Sequence, residues 1–169
     1  MNEHELKTKL VAELKRIYRT QPEQVYHYQK YNAETKEVKY PRIEAGLTDE
    51  LLLDHVLETK TLALRLMDPA TKCSVVGKVD FDLLHDADDM ETLTRKAWAL
   101  KAAIEAYGLK VYVSHSGRRG YHVVVFADQP ISVEKWNLFL IKVCQEAGLG
   151  YPREHLPKNS DPNQSPIKL

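Results

Sequence analysis

The order of hydrophobic patterns from Val75 onward constrains this chain most. An apolar run, Val75-Val76-Gly77-Lys78-Val79, ends in Asp80-Phe81-Asp82. A helical stripe follows, in which Leu93, Ala97, Leu100, Ile104 and Tyr107 recur at helical spacing and Gly108 stands just past the end. Asp88 and Glu91 are spaced as a capping box at its start. Lys110–Ser114 and Tyr121–Phe126 then read as strands, with Asp128-Gln129-Pro130 as a turn. A second helix, capped by Ser132, carries Trp136, Phe139, Leu140 and Val143 and stops at Gly148. The tail from Tyr151 holds four of the eight prolines and reads as extended, with Ile167-Lys168-Leu169 as a final strand. Strand, helix, strand, strand, helix is the order of a split βαβ unit. The expected class is α+β: an RRM-like antiparallel sheet with helices on one face, the other face being open to carry a site. An α/β domain of other connectivity is the alternative.

Upstream, Leu6, Leu10, Val11, Leu14 and Ile17 predict a helix over Glu5–Arg19, ended by Gln21-Pro22. Val25–Tyr40 reads as a loose hairpin turning at Asn32-Ala33-Glu34-Thr35, and Thr48 as the N-cap of a short helix through Leu57. Thr61–Met67 reads as a strand, hairpin-paired with Cys73–Asp82 through a turn at Asp68-Pro69-Ala70-Thr71. Residues 1–58 are then an N-terminal helical or accessory segment and 59–169 the RRM-like core, together one domain of ordinary size for 169 residues.

Composition excludes several classes. No apolar stretch is long enough to cross a bilayer, and the polar start Met1-Asn2-Glu3-His4-Glu5 is no secretory signal. Cys73 and Cys144 lie far apart without a CxxC pattern, which argues against a zinc site or a disulfide framework. An intracellular location is the default. With 24 basic and 24 acidic residues the chain has no general surplus to hold nucleic acid. The charge is nevertheless uneven: Asp80 to Glu91 is acid-rich, though Asp86 through Glu91 reads as a solvated helix start, and Arg118-Arg119 stand apart from any acid.

Two motifs carry the chemistry. Strand side chains alternate faces, so Lys78, Asp80 and Asp82 point one way and Val75, Gly77, Val79 and Phe81 the other, toward the helices. Two carboxylates at i and i+2 suit one or two Mg²⁺ or Mn²⁺ ions, which favour oxygen ligands. The second motif is Ser116-Gly117-Arg118-Arg119-Gly120-Tyr121-His122. Its glycines let backbone N–H groups approach an anion, its arginines can bind phosphate bidentately, and His122 can donate from its ring. Taken singly, each has a plain reading: a strand-end aspartate pair, a hairpin turn, a structural histidine. Taken together in RRM-like order, they meet on the open face.

Asp80-Phe81-Asp82 and Ser116-Gly117-Arg118-Arg119-Gly120-Tyr121-His122 resemble the first two signature motifs of the archaeo-eukaryotic primase superfamily. The stretch from His55 through Leu66, and then Val79–Asp82, is similar to bacterial primase-polymerases, among them those of TOTE conflict systems and CRISPR-associated ones. Leu156-Pro157-Lys158 followed by Ile167-Lys168-Leu169 resembles their stretch before the third motif. The resemblance spans roughly Thr48–Leu169. It implies an RRM-like catalytic core packed against an N-terminal α/β unit. It implies that Asp80 and Asp82 hold catalytic Mg²⁺ or Mn²⁺, and that Ser116, Arg118, Arg119 and His122, with Lys158, hold the triphosphate of a nucleotide. The implied activity is template-dependent nucleotidyl transfer, making or extending primers on single-stranded DNA from nucleoside triphosphates, with fused or separate accessory domains. The family also supplies a third metal carboxylate in or after its third motif. Glu154 and Asp161 are the nearest acids and neither matches that motif well, so the chain is expected to be a truncated catalytic domain. Two rival classes stand beside this one: a non-catalytic RRM-like module binding single-stranded nucleic acid, and a metal-dependent nuclease.

Overall fold

The computed structural model describes all residues except 1, 19–25, 33, 36, 44–45, 58, 66, 69, 84–85, 87–88, 117–118, 158–166 and 169. The chain divides into two compact units, residues 1–66 with 165–169, and residues 67–164.

In the first unit, α1 (Glu3–Tyr18) follows the leucine stripe and buries Val11. The expected stop at Gln21-Pro22 lies outside the described residues. Short strands follow: β1 (Tyr26–Tyr28), β2 (Lys30–Tyr31), β3 (Val38–Lys39) and β4 (Arg42–Ile43). The expected hairpin is the β2–β3 pair, with Tyr31 opposite Val38, while β1 pairs β4. Helix α2 (Asp49–Val56) starts at Thr48, whose hydroxyl accepts from the Leu51 N–H, as the spacing predicts. Strand β5 (Leu62–Leu64) is buried throughout.

The second unit opens with β6 (Cys73–Asp82). Helix α3 (Met90–Glu105) buries Leu93, Ala97, Leu100 and Ile104. Its cap is Asp89, which accepts from the Thr92 N–H; Asp88, the cap expected from sequence, lies outside the described residues. Strands β7 (Lys110–His115) and β8 (Gly120–Ser132) lead into α4 (Val133–Glu146), capped by Ser132. A short strand, β9 (Glu154–Leu156), completes an antiparallel sheet in the order β7-β8-β6-β9. The core between sheet and helices holds Val79, Phe81, Val111, Val123 and Val125 from the strands, and Leu93, Leu100, Trp136 and Leu140 from the helices. Gly77 is needed here, because a Cβ would come within 2.7 Å of the Trp136 ring. Trp136 also donates its indole N–H to the Ser74 carbonyl at 2.8 Å, so its one polar group is satisfied inside the core. The buried Cys144 thiol is pushed up to about 12 by desolvation, which leaves it inert.

Three expectations change. β5 does not pair with β6; it pairs β1 and the last strand, β10 (Ile167–Lys168), in a sheet of order β10-β5-β1-β4. Leu62–Leu64 therefore belongs to the first unit, and the division expected at 58/59 lies at 66/67. A sequence pattern names strands but not partners, and an adjacent strand is only the commonest partner. The fourth strand of the core sheet is β9 rather than 167–169. Finally, Asp128-Gln129-Pro130 does not end β8, which runs on to Ser132 through a bulge: Val76 faces Phe126 while Ser74 faces Ile131. Proline is tolerated in a bulge because no ladder N–H is required of it. The class stands as expected, α+β with an antiparallel sheet and its helices on one face. Among the described residues, no helix is long and apolar enough to cross a membrane.

Candidate active site on the open sheet face

Directly opposed residues of an antiparallel ladder share a face. The register therefore builds one row across the sheet face of the second unit that carries no helices, the open face of the expected fold: Ser114 on β7, His122 on β8, Asp80 on β6 and Glu154 on β9. The next row is Tyr112, Val124, Lys78 and Leu156. On the other side of the Asp80 row, at the end of β6, Asp82 faces Gly120.

These side chains interact. His122 Nε2 lies 3.5 Å from Asp80 Oδ1, and Lys78 Nζ forms an ion pair with the same oxygen at 3.0 Å. Arg119 Nε donates to Asp82 Oδ2 at 3.1 Å. That pair is partly solvated, so it contributes about 0–1 kcal/mol and serves mainly to orient the two groups. In the turn behind it, the Asp86 carboxylate accepts from the Asp82 N–H at 2.8 Å, while the Asp82 carboxylate meets the Arg119 guanidinium.

The loop is fixed against the end of β6. The Ser116 N–H donates to the Gly120 carbonyl at 2.8 Å, and the Leu83 N–H to the Arg119 carbonyl at 3.0 Å. At Gly120 a Cβ would stand 2.3 Å from the Phe81 carbonyl oxygen, so only glycine allows this approach. Ser116 lies beside that glycine, its hydroxyl 3.4 Å from the same virtual Cβ. The structure thus brings together Asp80, Asp82, Ser116, Arg119 and His122. Arg118 and Lys158, the other expected site residues, lie outside the described residues, as does Asp161.

Glu154 matches no expected motif in sequence, yet its register puts it beside Asp80. Burial, then the charges of Asp80, Asp82 and Asp86, raise its carboxyl above the usual carboxylate range, and Lys78 acts in the opposite sense. The only sequence signal for it is the three-residue alternation Glu154-His155-Leu156, which is too short to read as a strand. Lys78 lies on the expected face, two residues before Asp80.

Among the described residues no three His, Cys, Asp or Glu side chains converge as a metal cage. The donor set nonetheless fits a hard divalent cation. Mg²⁺ is commonly held by one or two protein carboxylates plus substrate phosphate, and Asp80 and Asp82 present two on one face, beside phosphate-binding types of side chain.

A model of the LigD primase-polymerase domain family matches residues 13–161. No curated protein matches the chain. Among solved structures, the AEP domain of the cyanophage S-2L primase-polymerase is similar, with a TM-score of 0.51 and 15% identity over 84% of this chain and 74% of that one. The polymerase domain of Mycobacterium tuberculosis ligase D, solved in complex with DNA, has a TM-score of 0.53 and 12% identity over 83% of this chain. The chain spans 62% of that domain's length. At these identities the likeness speaks to the fold, which is that of archaeo-eukaryotic primases.

Proposed function

The chain belongs to the LigD primase-polymerase domain family, and we propose that it is a template-dependent nucleotidyltransferase that makes or extends primers on single-stranded DNA from nucleoside triphosphates. The observation that carries this reading is the juxtaposition of Asp80, Asp82, Arg119 and His122 at one end of the open sheet face. A nuclease gains nothing from a loop suited to a triphosphate, and a plain nucleic-acid module would set two carboxylates against the phosphates of its own ligand.

Asp80 and Asp82, with Glu154 beside them, would hold Mg²⁺ or Mn²⁺, and the bound ion supplies Lewis-acid neutralisation of the reacting phosphate. The remaining work falls to the chain. His122 offers its ring to a phosphate oxygen from a position already shared with Asp80. Arg119 carries a planar fork that can bind two phosphate oxygens, and its pairing with Asp82 keeps it at the mouth of the site. The Ser116 hydroxyl completes the cradle, and Arg118 and Lys158 join it by the family resemblance. Together these groups would hold the β- and γ-phosphates so that a primer 3′-hydroxyl attacks the α-phosphate, its oxygen–phosphorus bond forming as the bond to pyrophosphate breaks in line. Rigid strands hold the carboxylates, which favours precise positioning.

Primer extension with Mn²⁺ or Mg²⁺ tests the reading. Asp80→Ala/Asp82→Ala is expected to lose activity by ~1000-fold, on the order of 4 kcal/mol of transition-state stabilisation, with the fold intact by circular dichroism. Equal extension by variant and wild type would remove these carboxylates from the mechanism. Strand cleavage without any nucleotide would turn the assignment to a nuclease, and EDTA-insensitive DNA binding without synthesis to a binding module.

A further inference from the structure

Among the described residues, Lys78 is the one buried charged side chain on the open face that the mechanism leaves unused. It is 4% exposed, and lysines are almost never buried so deeply unless paired. Its row neighbours on either side are Val124 and Leu156, so its aliphatic stem runs between apolar groups. Its ammonium reaches Asp80 Oδ1 at 3.0 Å, the same oxygen that His122 approaches. Three carboxylates, Asp80, Asp82 and Glu154, share this part of the sheet, Asp86 lies near enough to act on Glu154, and Arg119 pairs with Asp82.

We propose that Lys78 is a built-in counter-cation of this carboxylate row, a positioning residue that orients Asp80 and competes with a divalent ion for its oxygen. The inference rests on the reading of Asp80 and Asp82 as metal ligands. A lysine ammonium and a hard divalent cation seek the same donor, and a unit positive charge a few ångströms from an ion site lowers its affinity for a second cation. The chain thereby trades affinity for order: the row stays assembled, and the metal binds strongly only when phosphate oxygens add to its ligand set. A lysine with a merely structural role would leave metal affinity unchanged.

The test is Mn²⁺ binding to the full chain, without nucleotide, by calorimetry and by electron paramagnetic resonance of free Mn²⁺. Lys78→Met keeps the linear stem and removes the charge; Lys78→Arg keeps the charge. The expected result is that Lys78→Met binds Mn²⁺ on the order of 10-fold more tightly than wild type, whereas Lys78→Arg stays near wild type. Saturating Mn²⁺ should accordingly raise the melting temperature of Lys78→Met more than that of wild type, through mass action. Wild-type affinity in a folded Lys78→Met would overturn the proposal. So would equal tightening in Lys78→Arg, or a Lys78→Met that stays unfolded even with Mn²⁺, because no divalent ion then replaces the lysine. Asp80→Ala/Asp82→Ala separates the two levels: if it binds Mn²⁺ as wild type does, the metal reading itself falls, whereas if it loses binding while Lys78→Met is unchanged, only the role of Lys78 falls.

Discussion

The two faces of β6 come from one run of ten residues and are built for opposite ends. Gly77, Val79 and Phe81 face the helices, where Val79 is fully buried and Gly77 makes room for Trp136. Lys78, Asp80 and Asp82, interleaved with them, face away and meet His122, Glu154 and Arg119. Period-two alternation keeps stability and chemistry on separate surfaces of the same strand. The helix-facing surface gains from burying apolar area; the open one brings like charges together at a cost that the fold must offset elsewhere. Substitutions on the helix face should therefore lower stability and leave the site's ligand affinity alone, and those on the other face should change ligand affinity with only small effects on stability.

The sharpest test on the core side is Trp136→Ala. It removes the largest fully buried side chain and the indole bond to Ser74, and should cost about 3–5 kcal/mol in denaturant unfolding. A loss under about 1 kcal/mol would mean that the helix face is not the source of stability. On the open face, His122→Ala should weaken nucleotide binding by ~10-fold, or ~1.4 kcal/mol, with unfolding nearly unchanged. If unfolding shifts and nucleotide affinity does not, the two faces are not separated as described.

The smallest effect concerns Glu154. Its carboxyl is raised above the ordinary 4.5 in the folded protein, chiefly by burial and then by Asp80. A raised acid contributes stability that is full below the unfolded value and is lost as pH rises through the folded one. In metal-free buffer at pH 7, Glu154→Gln should therefore be modestly more stable than wild type, and the gap should close toward pH 4. Urea midpoints at the two pH values check it; a gap that widens in acid would contradict the placement of Glu154 among other acids.

The core side was the more legible in sequence. The stripe Leu93, Ala97, Leu100 and Ile104 and the run Cys73–Asp82 are long enough for periodicity to fix both type and facing. Asp80, Asp82 and His122 were legible because alternation along β6 and β8 needs only sequence, and the strands proved to be neighbours. What escaped was pairing over distance. β5 joins β1 and β10 through hydrogen bonds that leave no local signal, and β9 is three residues long. Glu154 escaped with β9, because its significance lies wholly in which residue stands opposite. The pairing of Lys78 is likewise illegible in sequence, since a single charge in an apolar run reveals its partner only in three dimensions.

The contact at Gly120 couples the two motifs mechanically. Its backbone rests on the carbonyl of Phe81, the residue between the two aspartates, so at this notch the hairpin is keyed to the acidic strand. Any side chain at position 120 would lift the hairpin off that notch and carry the Arg119 guanidinium away from Asp82. Redesign of the loop's length or sequence is thus confined to the stretch before residue 120, and the glycine serves as the fixed datum from which its reach is measured.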